Sequence, residues 1–217
     1  MATVTRYPII TVGREYGSSG RAIARIIAEK YGIAFYDYES IAAAAAERAG
    51  IDEKVFKNSE ENVGSPLKHK LSLLGTGRGI LVDGATALVK AQEAIIKSIA
   101  DNEPAVIVGR CADHFLKDYA PTVNIFIAGT TNRKIKWVMK NKEVNEEDAL
   151  EMMRTVDKRR ASFYRYNTEK AWGQNDNYDL RIKLDNQTNE EAADIIKAFV
   201  DATMGKEIAH AKEVCGK

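Results

Sequence analysis

The run Ile9-Ile10-Thr11-Val12 leads directly into Gly13-Arg14-Glu15-Tyr16-Gly17-Ser18-Ser19-Gly20-Arg21. No other stretch restricts the fold as strongly. Four consecutive β-branched residues read as a strand buried on both faces, the kind found in parallel sheets. The glycines and serines that follow read as a tight turn, and Ile23, Ile27 and Tyr31 at i, i+4 and i+8 give one apolar helical stripe that Gly32 ends. Strand, Gly-rich turn, helix is the context in which such a turn gathers backbone N–H groups around an anion, helped by the positive end of the helix. The hydroxyls of Ser18 and Ser19 are candidate contacts to the same anion. The phosphate-binding candidates are therefore Gly17, Ser18, Ser19, Gly20 and Arg21. A plain βα turn without a ligand is the competing reading.

Later segments repeat the alternation. Pro8, Pro104 and Pro121 each precede an apolar run: Ile9 to Val12, Ala105 to Val108 and Thr122 to Ile127. Ala34-Phe35-Tyr36 and Tyr178 to Leu184 are shorter strand candidates. Helices are expected from about Ala85 to Ala100 and from Asn189 to Val200, the latter opened by a Thr188/Glu191 capping box. The spacing predicts an α/β fold with a five-stranded parallel sheet, flanking helices and right-handed crossovers. Residues 1–217 read as a single domain with two insertions. One, 51–79, is glycine-bearing and weakly periodic. The other, 145–173, is a charged helix or helix pair that would form a lid. The tail after Gly205 reads as a loosely attached end.

Composition narrows the partners. Thirty-two Lys and Arg against 31 Asp and Glu leave a formal charge of +1, so no global field collects nucleic acid or anionic lipid. Any anion site must be a local cluster. No apolar run approaches the ~20 residues of a membrane helix, and the alanines Ala42 to Ala46 are too few. Two cysteines, Cys111 and Cys215, show no metal-ligand spacing and suit a reducing, cytoplasmic setting. No secretory leader pattern is evident in the first 30 residues.

Aligned to the P-loop pattern G-x-x-x-x-G-K-[ST], the second Gly is Gly20, the Lys is Arg21, and the Ser/Thr is Ala22. Arg is a planar fork and not a compact ammonium, yet it can bind two phosphate oxygens. Ala22 removes the usual Mg²⁺ hydroxyl. A dehydrogenase turn T-G-x-x-x-G-x-G is a rival, with Asp37 as the ribose acid and Tyr166 and Lys170 as a Tyr-x-x-x-Lys pair. Its third glycine, however, comes one residue late, at Gly20.

With Phe35-Tyr36-Asp37, Val108-Gly109-Arg110, Asp157-Lys158-Arg159-Arg160, Trp172-Gly173 and Tyr178-Asp179-Leu180 located as well, the chain resembles the cytidylate kinase-like family, relatives of the nucleoside monophosphate kinases. The resemblance runs from Tyr7 to about Val200. It implies a P-loop sheet, an acceptor-side insertion and a basic lid. It places Asp37 near an acceptor nucleotide, Arg110 on phosphate, and the lid residues Arg159 and Arg160 on the donor phosphates. The implied catalytic set is Arg21, Arg110, Arg159 and Arg160, with Asp37 and Arg110 binding the acceptor. The implied cofactors are ATP and Mg²⁺, the metal at an altered site. The sequence departs from true cytidylate kinases at Arg21 for Lys, Ala22-Ile23 for Gly-Thr, and Val108 for Asp.

The expected reaction is ATP-dependent phosphoryl transfer to a small acceptor, a nucleoside monophosphate such as CMP. A non-catalytic nucleotide or phosphate binder and a kinase of a small non-nucleotide metabolite are the alternatives. Small-molecule nucleotides are the expected partners, without nucleic acid or membrane, and the oligomeric state stays open. Arg14 and Arg25 also flank the turn, though Arg25 fits a solvent-facing position equally well. Asp37 doubles as a helix N-cap candidate. Asp113 is a candidate Mg²⁺ contact or a surface residue, and Cys111 a buried thiol. His69, His114 and His210 receive no role.

Overall fold

In a computed structural model, residues 6–49 and 84–216 are described. The insertion 51–79 expected from the sequence lies outside them. Strand β1 (Ile9–Arg14) is the centre of the sheet, paired in parallel with β3 (Ala105–Val108) on one side and β4 (Thr122–Gly129) on the other. Strand β2 (Ala34–Tyr36) adds to β3, and β5 (Leu180–Leu184) adds to β4. The order is β2-β3-β1-β4-β5, all parallel. A dinucleotide-binding sheet would place the second strand beside the first, in the order 3-2-1. Here β3 occupies that place, which removes the dehydrogenase reading. Tyr166, its would-be catalytic tyrosine, is 58% exposed.

The strand runs are apolar because both faces are covered. Ile10, Val12, Val106, Val108, Ile125 and Ile127 pack under α1 (Gly20–Tyr31) and the long C-terminal helix. Ile9, Ala105 and Ile107 face the opposite way, toward α2 (Tyr38–Ala49), α3 (Gly84–Asn102) and the single turn α4 (Ala112–Phe115). The period-2 alternation thus divides each strand between two cores in a three-layer fold. Thr11, on the second face, satisfies its buried hydroxyl by donating to Asn124 Oδ1 at 2.7 Å.

Two further helices, α5 (Thr131–Lys142) and α6 (Glu146–Thr168), form a pair with its own small core of Val138, Ala149 and Met153. Tyr16 and Trp137 pack against that core, so the pair is seated on the turn itself. The expected lid 145–173 is therefore a single 23-residue helix, capped by Asn145, whose side chain accepts from Asp148 N–H at 2.9 Å. The C-terminal tail corrects the sequence reading. Helix α7 runs unbroken from Asn189 to Cys215, with Val200, Met204, Ile208 and Ala211 all buried. Gly205 does not end it, because the buried stripe continues past that residue at i+4 spacing.

Candidate functional site

Ligands of open parallel sheets collect at the carboxyl ends of the strands, where connections diverge. At that edge the protein brings together the ends of β1 and β3, the first turn of α1, the start of α2, and α6. Two adjoining cavities open there. The larger, about 680 Å³, is lined by the turn (Gly17, Ser19, Gly20), Arg21, Asp37, Tyr38, Glu39 and Trp137. The smaller, about 230 Å³, is lined by Gly109, Arg110, Asp113, Arg159, Phe163, Tyr164 and Tyr178. Arg14, Tyr38 and Arg160 line both.

The turn is held from below. Glu15 carries an ion pair to Lys134 of α5 at 2.8 Å and accepts from Gly129 N–H at 3.1 Å. Ser18 is fully buried. Its hydroxyl donates to Glu15 O at 2.8 Å and accepts from Gly20 N–H at 3.3 Å. That hydroxyl braces the turn from inside, and only Ser19 of the two serines lines the cavity. Ser19 sits at the N-cap of α1 in the left-handed region, φ 65°, and makes no side-chain cap. Ser18 Oγ thus takes the Gly20 N–H, and the Arg21 and Ala22 N–H groups of the first turn of α1 are left for the cavity.

Arg21, at the lysine position, turns toward α2. Its Nη2 meets Asp37 Oδ2 at 2.5 Å and Glu39 Oε2 at 3.0 Å. Burial alone lowers the Arg21 pKa, but the two carboxylates outweigh it and raise it. Asp37 is buried and caps α2, its Oδ1 accepting from Glu39 N–H at 3.1 Å and Ser40 N–H at 3.2 Å. Burial pushes its carboxyl up, yet the Ser40 N–H and Arg21 hold it below the ordinary value. Asp37 therefore caps the helix, one of the two roles weighed for it, and lines the larger cavity, whereas Arg110 lines the smaller one.

Arg110 leaves the end of β3 through a left-handed run: Gly109, Arg110 and Cys111 have φ of 79°, 59° and 56°. Two adjacent non-glycine residues in that region cost about 1–3 kcal/mol each. The run swings the Arg110 guanidinium between the rings of Tyr38, 4.1 Å away, and Phe163, 5.0 Å away. Residue 110 thus links α2 to α6 through two cation–π contacts.

Helix α6 is docked on the turn. Asp157 Oδ1 accepts from Tyr16 N–H at 2.8 Å, and Arg160 Nη1 donates to Arg14 O at 3.1 Å. Arg159 is exposed at the rim of the smaller cavity. Arg25 lies over the Phe35 ring at 4.3 Å on the exposed side of α1. Asp113 is not a free surface residue as one reading had it. Tyr164 donates to its Oδ2 at 2.6 Å, and burial pushes its carboxyl above the ordinary value despite that bond. Burial likewise raises the Cys111 thiol, so it is an inert packing group. Tyr178 belongs to a block that carries the family resemblance, whereas Tyr38, Phe163 and Tyr164 carry no motif, and only the spatial meeting of α2, β3 and α6 exposes their part.

ATP and Mg²⁺ fare differently against these residues. The Arg21 and Ala22 N–H groups at the helix start, with the Arg14 and Arg160 guanidinium groups around the same cavity, are a donor set suited to a polyphosphate. A protein-held Mg²⁺ finds no comparable set. Ala22 and Ile23 offer no oxygen, Ser18 Oγ is committed inside the turn, and Asp37 is tied to Arg21 and Ser40. No group of three metal-ligating His, Cys, Asp or Glu side chains occurs among the described residues.

A sheet in this order, with a Gly-rich turn after its central strand and the basic helix α6 against that turn, has the P-loop kinase fold. Residues 9–186 match the model of the cytidylate kinase-like family, and the chain belongs to that family. It is similar to an uncharacterized protein from Eubacterium ventriosum ATCC 27560, at 29% identity and TM-score 0.67, covering 89% of this chain and 98% of that one. The fold is shared with a shikimate kinase from Acinetobacter baumannii solved with shikimate (16% identity, TM-score 0.50, 93% and 95% coverage). A shikimate kinase from Bacteroides thetaiotaomicron is a further structural neighbour (10% identity, TM-score 0.51, 89% and 98% coverage). No curated protein matches the chain at a significant level. No helix among the described residues is long and apolar enough to cross a membrane.

Proposed function

We propose that the protein transfers a phosphoryl group from ATP to a small phosphorylated acceptor, with CMP the first candidate. The observation that carries this reading is the cationic ring. Arg14 from β1, Arg110 after β3, and Arg159 and Arg160 from α6 converge on one small cavity that adjoins a larger one over the turn. Phosphoryl transfer asks for in-line positioning and neutralisation of charge, with little covalent chemistry from the protein. Cations from several elements, a cradle of N–H groups and a docked lid answer those needs. The donor's phosphates belong over α1, and the acceptor's phosphate beside Arg110. Free Cys111 and Cys215 suit a reducing compartment, so the proposed location is the cytoplasm.

One observation supports a second reading. The absence of an oxygen ligand at Ala22 and Ile23 suits a protein that binds nucleotide and does not turn it over. Formation of ADP from ATP, followed with CMP, the other nucleoside monophosphates and small hydroxy-acids in turn, separates the two. Acceptor-dependent ADP supports transfer, and the acceptor that elicits it names the substrate. ATP binding without ADP formation under any acceptor supports the binder. Within the transfer reading, Arg110→Ala should weaken acceptor binding and lower the rate together. Arg160→Ala should chiefly lower the rate, by about 10²–10³, the usual cost of removing a group that stabilises developing charge.

A further inference from the structure

The arginine at the lysine position is occupied by carboxylates, whereas a second arginine close by is not. Arg14 lies at the last position of β1, and its side chain borders both cavities. Among the described residues no carboxylate comes within ion-pair distance of its guanidinium. Its strongest charged neighbours are Arg160, Arg110 and Arg21, with Asp157 opposing them. Burial and these three cations hold its pKa well below the usual guanidinium range.

Two glycines keep the space it fills. A Cβ at Gly20 would stand 2.5 Å from Arg14 Cβ, and a Cβ at Gly109 would overlap Arg14 Nη1. The turn after β1 and the turn after β3 are thus both pared back around one side chain. The backbone of the same residue is gripped by the lid, since Arg160 donates to Arg14 O. A like-charged, half-enclosed guanidinium without a protein anion is costly to keep unless an anion from solution completes it.

We propose that the Arg14 guanidinium contacts ligand phosphate at the join of the two cavities, the task that the P-loop pattern gives to position 21. The proposal rests on the phosphoryl-transfer reading of the same site and adds the residue that bridges donor and acceptor. Arg14 can fork to two oxygens at once, one from each side of the transferred group. Arg21, held by Asp37 and Glu39, then serves to tie α1 to α2.

The test is calorimetric titration of pyrophosphate and of ATP into wild type, Arg14→Met and Arg14→Lys, with the melting temperature of each unliganded protein. Arg14→Met should lose at least tenfold in affinity for both probes while melting at or above wild type, because removing the cation relieves the cluster. Arg14→Lys keeps the charge and loses the fork, and should fall between the two; it decides the matter alone should Arg14→Met fail to fold. Affinity within threefold of wild type overturns the proposal, as does a loss of affinity that accompanies a fall in melting temperature of several degrees, the mark of a packing role. Wild type that binds neither probe removes the phosphate-site reading and the proposal with it. Wild type that binds while Arg14→Met binds equally well removes only the proposal.

Discussion

At the residue scale the site is a set of charges held in unequal balance. Asp37 is the best-compensated carboxylate, facing Arg21 and two N–H groups of α2. Its folded-state pKa lies below the unfolded one, so its contribution is fully present above the unfolded pKa and is lost as pH falls through the folded one. The Arg21 side chain is half exposed, so solvent screening leaves the ion pair little weight and the cap carries most of the effect. Asp37→Ala should therefore cost roughly 1–2 kcal/mol at neutral pH, the usual value of a lost N-cap. Urea unfolding of both proteins at neutral pH and near about pH 3 checks this. The gap between them should narrow at the acid end, and a gap that does not change with pH contradicts the assignment.

At the scale of elements, α7 decides how the sequence should have been read. Ile196, Val200, Met204 and Ile208 follow one another at i+4, and all are buried against the sheet and α1. Tyr31 closes that contact by donating to Asp201 Oδ1 at 2.6 Å. Gly205 within the run reads as a stop when weighed as a local breaker, but a single glycine in a helix costs only about 1 kcal/mol. Burial of several aliphatic side chains exceeds that. Ile208→Ala should hence destabilise the protein by about 2–4 kcal/mol, as buried aliphatic truncations do. A urea midpoint close to wild type would show that the last turns of α7 carry no load. Strands β1, β3 and β4 were legible because each is a run rich in β-branched residues with a proline before it, β2 and β5 were visible only as shorter candidates, and the capping box of α7 was legible as Thr188 and Glu191. The charged insertion gave the helix α6 within a few residues.

The site was legible in part, and the physical reason is the same throughout. Sequence distance hides what the carboxyl edge brings together. The turn and Arg110 follow strands and could be placed by the rule that ligands meet strand ends. That Ser18 Oγ is spent inside the turn, or that Arg21 points to α2, depends on rotamers and on the packing of α2, which no local pattern encodes. Arg14 carries a faint signal, the glycines at 20 and 109 that make room for it, but the two are 89 positions apart and meet only once β1 and β3 pair.

On the scale of the whole molecule, a sheet with both faces covered supplies a rigid edge, and α5 and α6 rest on that edge through Tyr16, Asp157 and Arg160. The phosphate crevice between them is built from arginines and helix N–H groups, with Ser19 the serine of the turn that lines it and no group of three metal-ligating His, Cys, Asp or Glu side chains among the described residues. The central claim is that this crevice holds nucleotide phosphates by those cations. Calorimetric titration of ATP into wild type, in magnesium and again in excess chelator, tests it most directly. The account expects one ATP per chain, with dissociation constants that agree within about tenfold, a difference of ~1.4 kcal/mol, between the two conditions. No measurable binding, or an affinity that falls about a hundredfold on chelation, ~2.7 kcal/mol, would contradict it.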